Sequence, residues 1–269
     1  MRAAVVIALG KGVVSQFHPK MLALLVVPLL VAIGVWTLSA WFFWTPVTEW
    51  LRTSWFTGDG WLSRGYAWLA SHQIAGYGLA GADQWIPKLF AFLLLVPIAI
   101  ATALGLVAVL AMPVVLRFLG KGDYADVDRR GDFGVAASLA NVAKTLAIFI
   151  PGYLLTLPLW LIAPLAFIIP WLWWGWLTSR LMRFDALVEH ATPVERQRVV
   201  AGDRREYLVL GLACAALNYL PPLFLIAPVL SALVFGHYSL QRLRQLRAAD
   251  ALALGGGQGH PGKAGRPGP

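Results

Sequence analysis

Long apolar runs alternate with short basic ones along this chain. Four stretches carry no Lys, Arg, Asp or Glu: 21–48, 89–116, 145–179 and 207–241. The first two hold 28 residues each. At about 1.5 Å per residue that is about 42 Å of helix, enough to cross about 30 Å of hydrocarbon with some tilt. Pro28, Pro97 and Pro113 fall inside them, and lipid tolerates this when neighbours re-satisfy the freed carbonyls. Each reads as one spanning helix. The last two runs hold 35 residues each. A single helix of that length is about 52 Å, too long for one crossing, and two full crossings need about 40 residues plus a turn. Pro158 and Pro164 interrupt one run; Pro221, Pro222 and Pro228 interrupt the other. The pattern predicts a re-entrant helical hairpin in each, entering and leaving on one side. Such backbone survives only where protein buries it or a watery cavity receives it. Two short complete crossings per run are the alternative.

The basic residues orient this arrangement. Residues 1–20 carry Arg2, Lys11 and Lys20; the 117–144 loop carries Arg117, Lys121, Arg129, Arg130 and Lys144. The 180–206 loop carries Arg180, Arg183, Arg196, Arg198, Arg204 and Arg205, and the tail adds five more. The long 45–88 segment has only Arg52, Arg64 and Lys88. If each 35-residue run returns to its own side, every dense basic loop is cytoplasmic and only 45–88 lies outside, which is the order the positive-inside rule favours. Both termini are then cytoplasmic.

Composition agrees. The chain has 269 residues, 59% hydrophobic and 13% charged, with mean hydropathy +0.68. A soluble chain is about 25% charged, so this is an all-α integral membrane protein. Residues 1–250 read as one membrane domain, and 251–269 as a disordered Gly/Pro-rich tail. The net charge of +9 is explained by loops that meet anionic lipid, so nucleic acid is not an expected partner. Cys214 is the one cysteine, which excludes an internal disulfide and a cysteine metal cluster. The N-terminal apolar stretch is short and no small-x-small site follows, so it is expected to be retained as an interfacial segment over 3–17.

Smaller elements are legible between the runs. Trp50, Trp55, Trp61, Trp68 and Trp85 with six glycines mark 45–88 as an interfacial aromatic belt with short surface helices. Phe184, Leu187, Val188 and Ala191 share one face of an amphipathic surface helix over 181–191. Thr192-Pro193-Val194-Glu195 is a capping box with Pro at the first helical position. Asp203 and Glu206 repeat that cue.

Signs of reaction chemistry are sparse. Asp123, Asp126, Asp128 and Asp132 crowd one loop without the Gly and terminal Glu of a calcium loop. His18, His72, His190, His237 and His260 lack ligand spacing. No nucleophile elbow or complete phosphate loop occurs. The chain is expected to be no enzyme and to hold no metal and no cofactor. What remains are cations at the ends of lipid-buried elements: Lys20, Arg117, Lys144 and Arg180. They either snorkel to lipid phosphate or ring a watery anion path.

The chain resembles the CysZ-type sulfate permeases, which share their fold with the etoposide-induced membrane protein family. The resemblance covers about residues 5–247. His18-Pro19 with Pro28, Met112-Pro113, "IPGY…LIAPLAF" (150–167), "RFDALVEH…ERQR" (183–198) and "NYLPPLFLIAP" (218–228) carry it. It implies two long spanning helices, two partly penetrating hairpins, a homo-oligomer, and uptake of sulfate or a related inorganic oxyanion across the bacterial inner membrane for cysteine synthesis. One departure stands out. The family places two arginines before its first span, tied to sulfate binding; Leu22 and Ala23 occupy those positions here, with Lys20 nearby. A lysine is a point charge and does not replace a bidentate arginine fork.

The candidate anion-binding residues are therefore Lys20, His18, Asn141, Lys144, Arg117 and Asn218. A permease predicts Lys20, Asn141, Lys144 and Asn218 around one polar cleft. The alternative, a non-transporting membrane scaffold on the same fold, predicts a dry interface between the hairpins.

Overall fold

The computed structural model describes residues 2–57, 59–71, 82–131 and 135–256. Among them every regular element is helical: α1 Arg2–Gln16, α2 Pro19–Arg52, α3 Trp61–Ser71, α4 Ala82–Lys121, α5 Val135–Leu155, α6 Ala163–Val188, α7 Pro193–Gly202, α8 Arg204–Ala216 and α9 Leu223–Gly256. Expectations for His72, Asp132, His260 and most of the Gly/Pro-rich tail lie outside the described residues; 251–256 are the last turns of α9.

The two predicted spans fall within α2 and α4. Both outlast their uncharged runs, because Lys20, Glu49, Arg52, Lys88, Arg117 and Lys121 extend the ends. Helices long and apolar enough to cross a membrane comprise Pro19–Thr57, Gln84–Lys121, Ala136–Leu155 and Leu223–Ala253.

Each 35-residue run is two helices joined by a proline-bearing break. In the first, α5 and α6 flank a short 3₁₀ turn, Leu157–Leu161, and pack on each other. Pro158 lies in that turn, and Pro164 sits in the first turn of α6, where its missing N–H costs nothing. In the second, α8 ends in a 3₁₀ turn, Leu217–Tyr219, before Pro221 and Pro222, and α9 packs back on α8. Pro228 lies inside α9. At about 1.5 Å per residue α8 is about 20 Å long and cannot cross hydrocarbon, whereas α9 can.

The chain forms two compact units, residues 1–25 with 108–269, and residues 26–107. In the larger, α9 is the core. Every residue from Ser231 to Leu240 is buried, and 72% of its apolar window is enclosed by protein, against 11% for Ala136–Leu155. A helix apolar on all sides needs neighbours on all sides; α1, α6, α7 and α8 supply them. Gly12 lets α1 approach closely, since a Cβ there would lie 2.5 Å from Val234 Cγ2. The α6–α8 crossing is tighter. A Cβ on Gly211 would meet the Gly175 carbonyl and come within 2.7 Å of Ser179 Cβ. Gly175 and Ser179 on α6 against Gly211 and Ala215 on α8 form a small-residue seam of the kind membrane helices use to bring backbones together.

The segment 181–191 differs from expectation. It is no separate surface helix: α6 runs unbroken to Val188, and Ala186, Leu187, Val188 and Ala191 are buried in protein. The Thr192 capping box forms, with the Thr192 hydroxyl accepting from Glu195 N and the Glu195 carboxylate accepting from Thr192 N at 2.8 Å. Asp203 caps nothing with its side chain, because Arg242 takes its carboxylate.

In the smaller unit, α2 and α4 run past each other in opposite directions. Trp36 Nε1 donates to Thr102 Oγ1 at 3.2 Å, and the Trp55 ring meets Phe90 edge-on at 4.6 Å. Trp41, Phe42, Phe43, Trp50, Phe92 and Leu93 stay exposed, a surface suited to lipid.

Candidate functional site

The six residues singled out from sequence line no common cavity among those described. Lys20 and Lys144 are exposed. His18 is half-buried: its ring lies 4.7 Å from that of Phe118, and its Nδ1 accepts from Lys20 N at 3.2 Å. Arg117 lines a cleft of about 420 Å³ with Pro113, Arg129, Gly131 and Glu189. Asn218 lines a different, mostly apolar one of about 450 Å³ with Thr178, Tyr219 and Ser231, and its amide donates to Ala215 O at 3.3 Å. Asn141 lines a third. No described cavity holds two of the six. The shared cleft around Lys20, Asn141, Lys144 and Asn218 is therefore absent among the described cavities.

The Asn141 cleft is the most cationic. It measures about 400 Å³ and is lined by Asn141 from α5, Arg180, Arg183 and Phe184 from α6, and Pro193, Arg196, Gln197 and Val200 from α7. The unbroken α6 explains part of this, because residues three apart share a helix face and so bring Arg180 and Arg183 together. The capping box at Thr192 fixes the start of α7 and with it Arg196. Arg196 lies over the Phe184 ring at 4.5 Å, and Arg180 over Trp176 at 5.5 Å. These aromatic faces hold the guanidiniums by cation–π attraction.

None of the three takes part in an ion pair among the described residues. Burial lowers the proton affinity of Arg183, and the charges of Arg180 and Arg204 lower it further. Burial also lowers that of Arg196. Asn141 adds an unmet need: its Nδ2 is buried and has no hydrogen-bond partner. A buried amide donor without an acceptor costs about 1–3 kcal/mol. The cleft thus offers many donors and positive charge with no carboxylate to match.

Arginines on and around α9 are occupied instead. Arg247 Nε donates to Glu195 Oε1 at 2.8 Å and its Nη2 to His190 O at 2.7 Å. Arg242 holds Asp203 in a bidentate pair, and Arg244 holds Asp126 and the Asp123 carbonyl. Arg247 keeps the Glu195 carboxyl below its ordinary range. Asp185 is half-buried, and burial pushes its carboxyl up to about 6. Among the described residues no group of three or more His, Cys, Asp or Glu could hold a metal ion.

Sequence reasoning found Asn141 and noted Arg180 as a candidate for an anion path, but passed over Arg183 and Arg196. The available signal was the three-residue spacing of Arg180 and Arg183. It was hidden by reading 181–191 as a separate amphipathic helix.

Membrane-length helices and two proline-broken helix pairs define a membrane protein, and its larger unit carries a cationic cleft. The profile of the family described as sulfate transporter CysZ/etoposide-induced protein 2.4 matches residues 8–228, and the chain belongs to that family. No curated protein and no solved structure matches it.

Proposed function

We propose that this chain is an oxyanion permease of the bacterial inner membrane, importing sulfate or a related inorganic oxyanion for sulfur assimilation. Family membership over residues 8–228 carries this reading. The physical support is the pairing of membrane-length apolar helices with the unpaired arginines of the Asn141 cleft. Guanidinium and amide donors replace part of an anion's hydration shell, which is what a permeation path must do. Both termini and the 180–206 segment lie in the cytoplasm, as the positive-inside rule places them. The protein works as a homo-oligomer in the bilayer, does no covalent chemistry and needs no cofactor.

A second reading, a non-transporting scaffold, has one observation on its side. The α6–α8 seam at Gly175 and Gly211 is packed too closely to admit another side chain, as a purely structural contact would be. Labelled sulfate uptake into proteoliposomes separates the two, with Lys20→Ala run beside wild type. The permease gives uptake above empty liposomes. Uptake equal to empty liposomes favours the scaffold. Because Lys20 is exposed and lines no described cavity, Lys20→Ala retains most of the flux; its loss would return the site to the start of the first span.

A further inference from the structure

We propose that the cleft between α5, α6 and α7 binds one tetrahedral oxyanion group, a free sulfate or the phosphate of an anionic lipid headgroup, held by Asn141, Arg180, Arg183 and Arg196. This rests on the oxyanion reading above and gives it a place, away from the start of the first span where the family resemblance would put it.

Three observations converge. The guanidiniums of Arg180, Arg183 and Arg196 line one cleft, and no carboxylate lines it with them. Elsewhere in the same unit six arginines, Arg129, Arg130, Arg198, Arg242, Arg244 and Arg247, have a carboxylate within ion-pair distance. Arg117, Arg204 and Arg205 have none among the described residues, but Arg117 shares its cleft with Glu189 and the other two line no described cavity. A cluster of like charges left without counter-ions is destabilising unless something outside the chain neutralises it. Second, Asn141 Nδ2 is a buried donor that lacks an acceptor, at the edge of that same cleft. An anion's oxygen supplies both the charge and the acceptor. Third, Phe184 and Trp176 hold Arg196 and Arg180 by their rings. That arrangement orders a guanidinium without consuming its N–H donors, so they stay free for a ligand.

The number of donors selects the chemistry. Three guanidinium groups and an amide far exceed what the two oxygens of one carboxylate can accept. Sulfate and phosphate present three or four oxygens and spread their charge over all of them, and arginine forks match that geometry bidentately. The cleft, at about 400 Å³, has room for such a group together with water.

The test is binding rather than flux, so that it fails independently of the permease reading. Purified full-length protein in neutral detergent is titrated with labelled inorganic sulfate. In parallel it is placed in nanodiscs of phosphatidylcholine with added phosphatidylglycerol, and bound phosphatidylglycerol is counted by native mass spectrometry. Wild type is compared with Asn141→Asp, Arg196→Gln and, as a control, the exposed Arg205→Gln. Thermal unfolding of each variant checks that it is folded. Sulfate binding that weakens about tenfold or more in both cleft variants, but not in Arg205→Gln, assigns the site to the free ion. Phosphatidylglycerol retention lost in the same two variants, without sulfate binding, assigns it to the lipid phosphate. Binding of either that ignores both cleft variants overturns the site, as does the absence of both ligands from folded wild type. If binding is found but proteoliposomes take up no sulfate, the permease reading falls and the site stands. If uptake is found and binding ignores the cleft, the site falls alone.

Discussion

Two sets of arginines in the larger unit keep opposite company. Arg242, Arg244 and Arg247 in the C-terminal half of α9 each hold a carboxylate: Asp203, Asp126 and Glu195. Arg180, Arg183 and Arg196 hold none among the described residues. The first set ties segments distant in sequence to α9. Asp203 ends α7, Glu195 begins it, and Asp126 lies in the loop after α4. The second set ties nothing. The same side chain is a structural bolt where a carboxylate meets it and a reserve of charge where none does.

This difference sets the order of expected effects. The largest comes from breaking a bolt. Asp203 is 6% exposed, so Asp203→Asn leaves the Arg242 guanidinium without its counter-charge. Removing one partner of a buried pair costs about 3–5 kcal/mol. Since Arg242 is more exposed than Asp203, a loss of about 2–3 kcal/mol is expected in denaturant unfolding of the detergent-solubilised protein.

Next is the response to acid. His190 is 1% exposed. Burial, then the charges of Arg129 and Arg247, push its pKa from 6.5 down to about 4. The unfolded chain therefore takes up the proton first. The stability held by neutral His190 is complete above pH 6.5 and is lost as pH falls toward 4, with roughly 2 kcal/mol gone by about pH 5. His190→Gln removes that slope from the stability–pH curve; an unchanged slope would mean that other groups set it.

A smaller effect tests the positioning of α7. Thr192→Ala deletes half of the capping box and costs about 1 kcal/mol, measured by thermal unfolding. It also loosens Arg196, so anion affinity falls with it. The smallest effect on stability belongs to the unpaired set. Arg183→Gln changes unfolding by about 0.5 kcal/mol or less, in either direction, because it removes repulsion from Arg180 and Arg204 along with its own charge. A loss as large as that of Asp203→Asn would show that Arg183 is structural and erase the distinction.

Much of this architecture was legible in the chain. Runs without charge located α2 and α4, because lipid excludes formal charge more strictly than any other solvent surrounding a protein. Run length and proline placement gave the break in each 35-residue run. The 34-residue reach of α9 was not legible. An apolar helix enclosed by protein and one bathed in lipid read alike, and only tertiary contacts show that residues 231–240 are the core. The site was half legible for a related reason. Asn141 and Arg180 flank apolar runs and stood out by contrast, while Arg183 and Arg196 were lost among other arginines. Which of those arginines have partners depends on Asp203, Asp126 and Glu195, all remote in sequence. Lys20 and Lys144 attracted attention by adjacency to spans, which says where a side chain starts and not what it faces.

The most direct test of the account is labelled sulfate flux into proteoliposomes, wild type beside Arg196→Gln at matched protein content. The account predicts flux above empty liposomes for wild type, and a fall of about tenfold in the variant with its unfolding midpoint preserved. Equal flux in the two would contradict a role for the arginine cleft, and wild-type flux no greater than that of empty liposomes would contradict sulfate permeation itself.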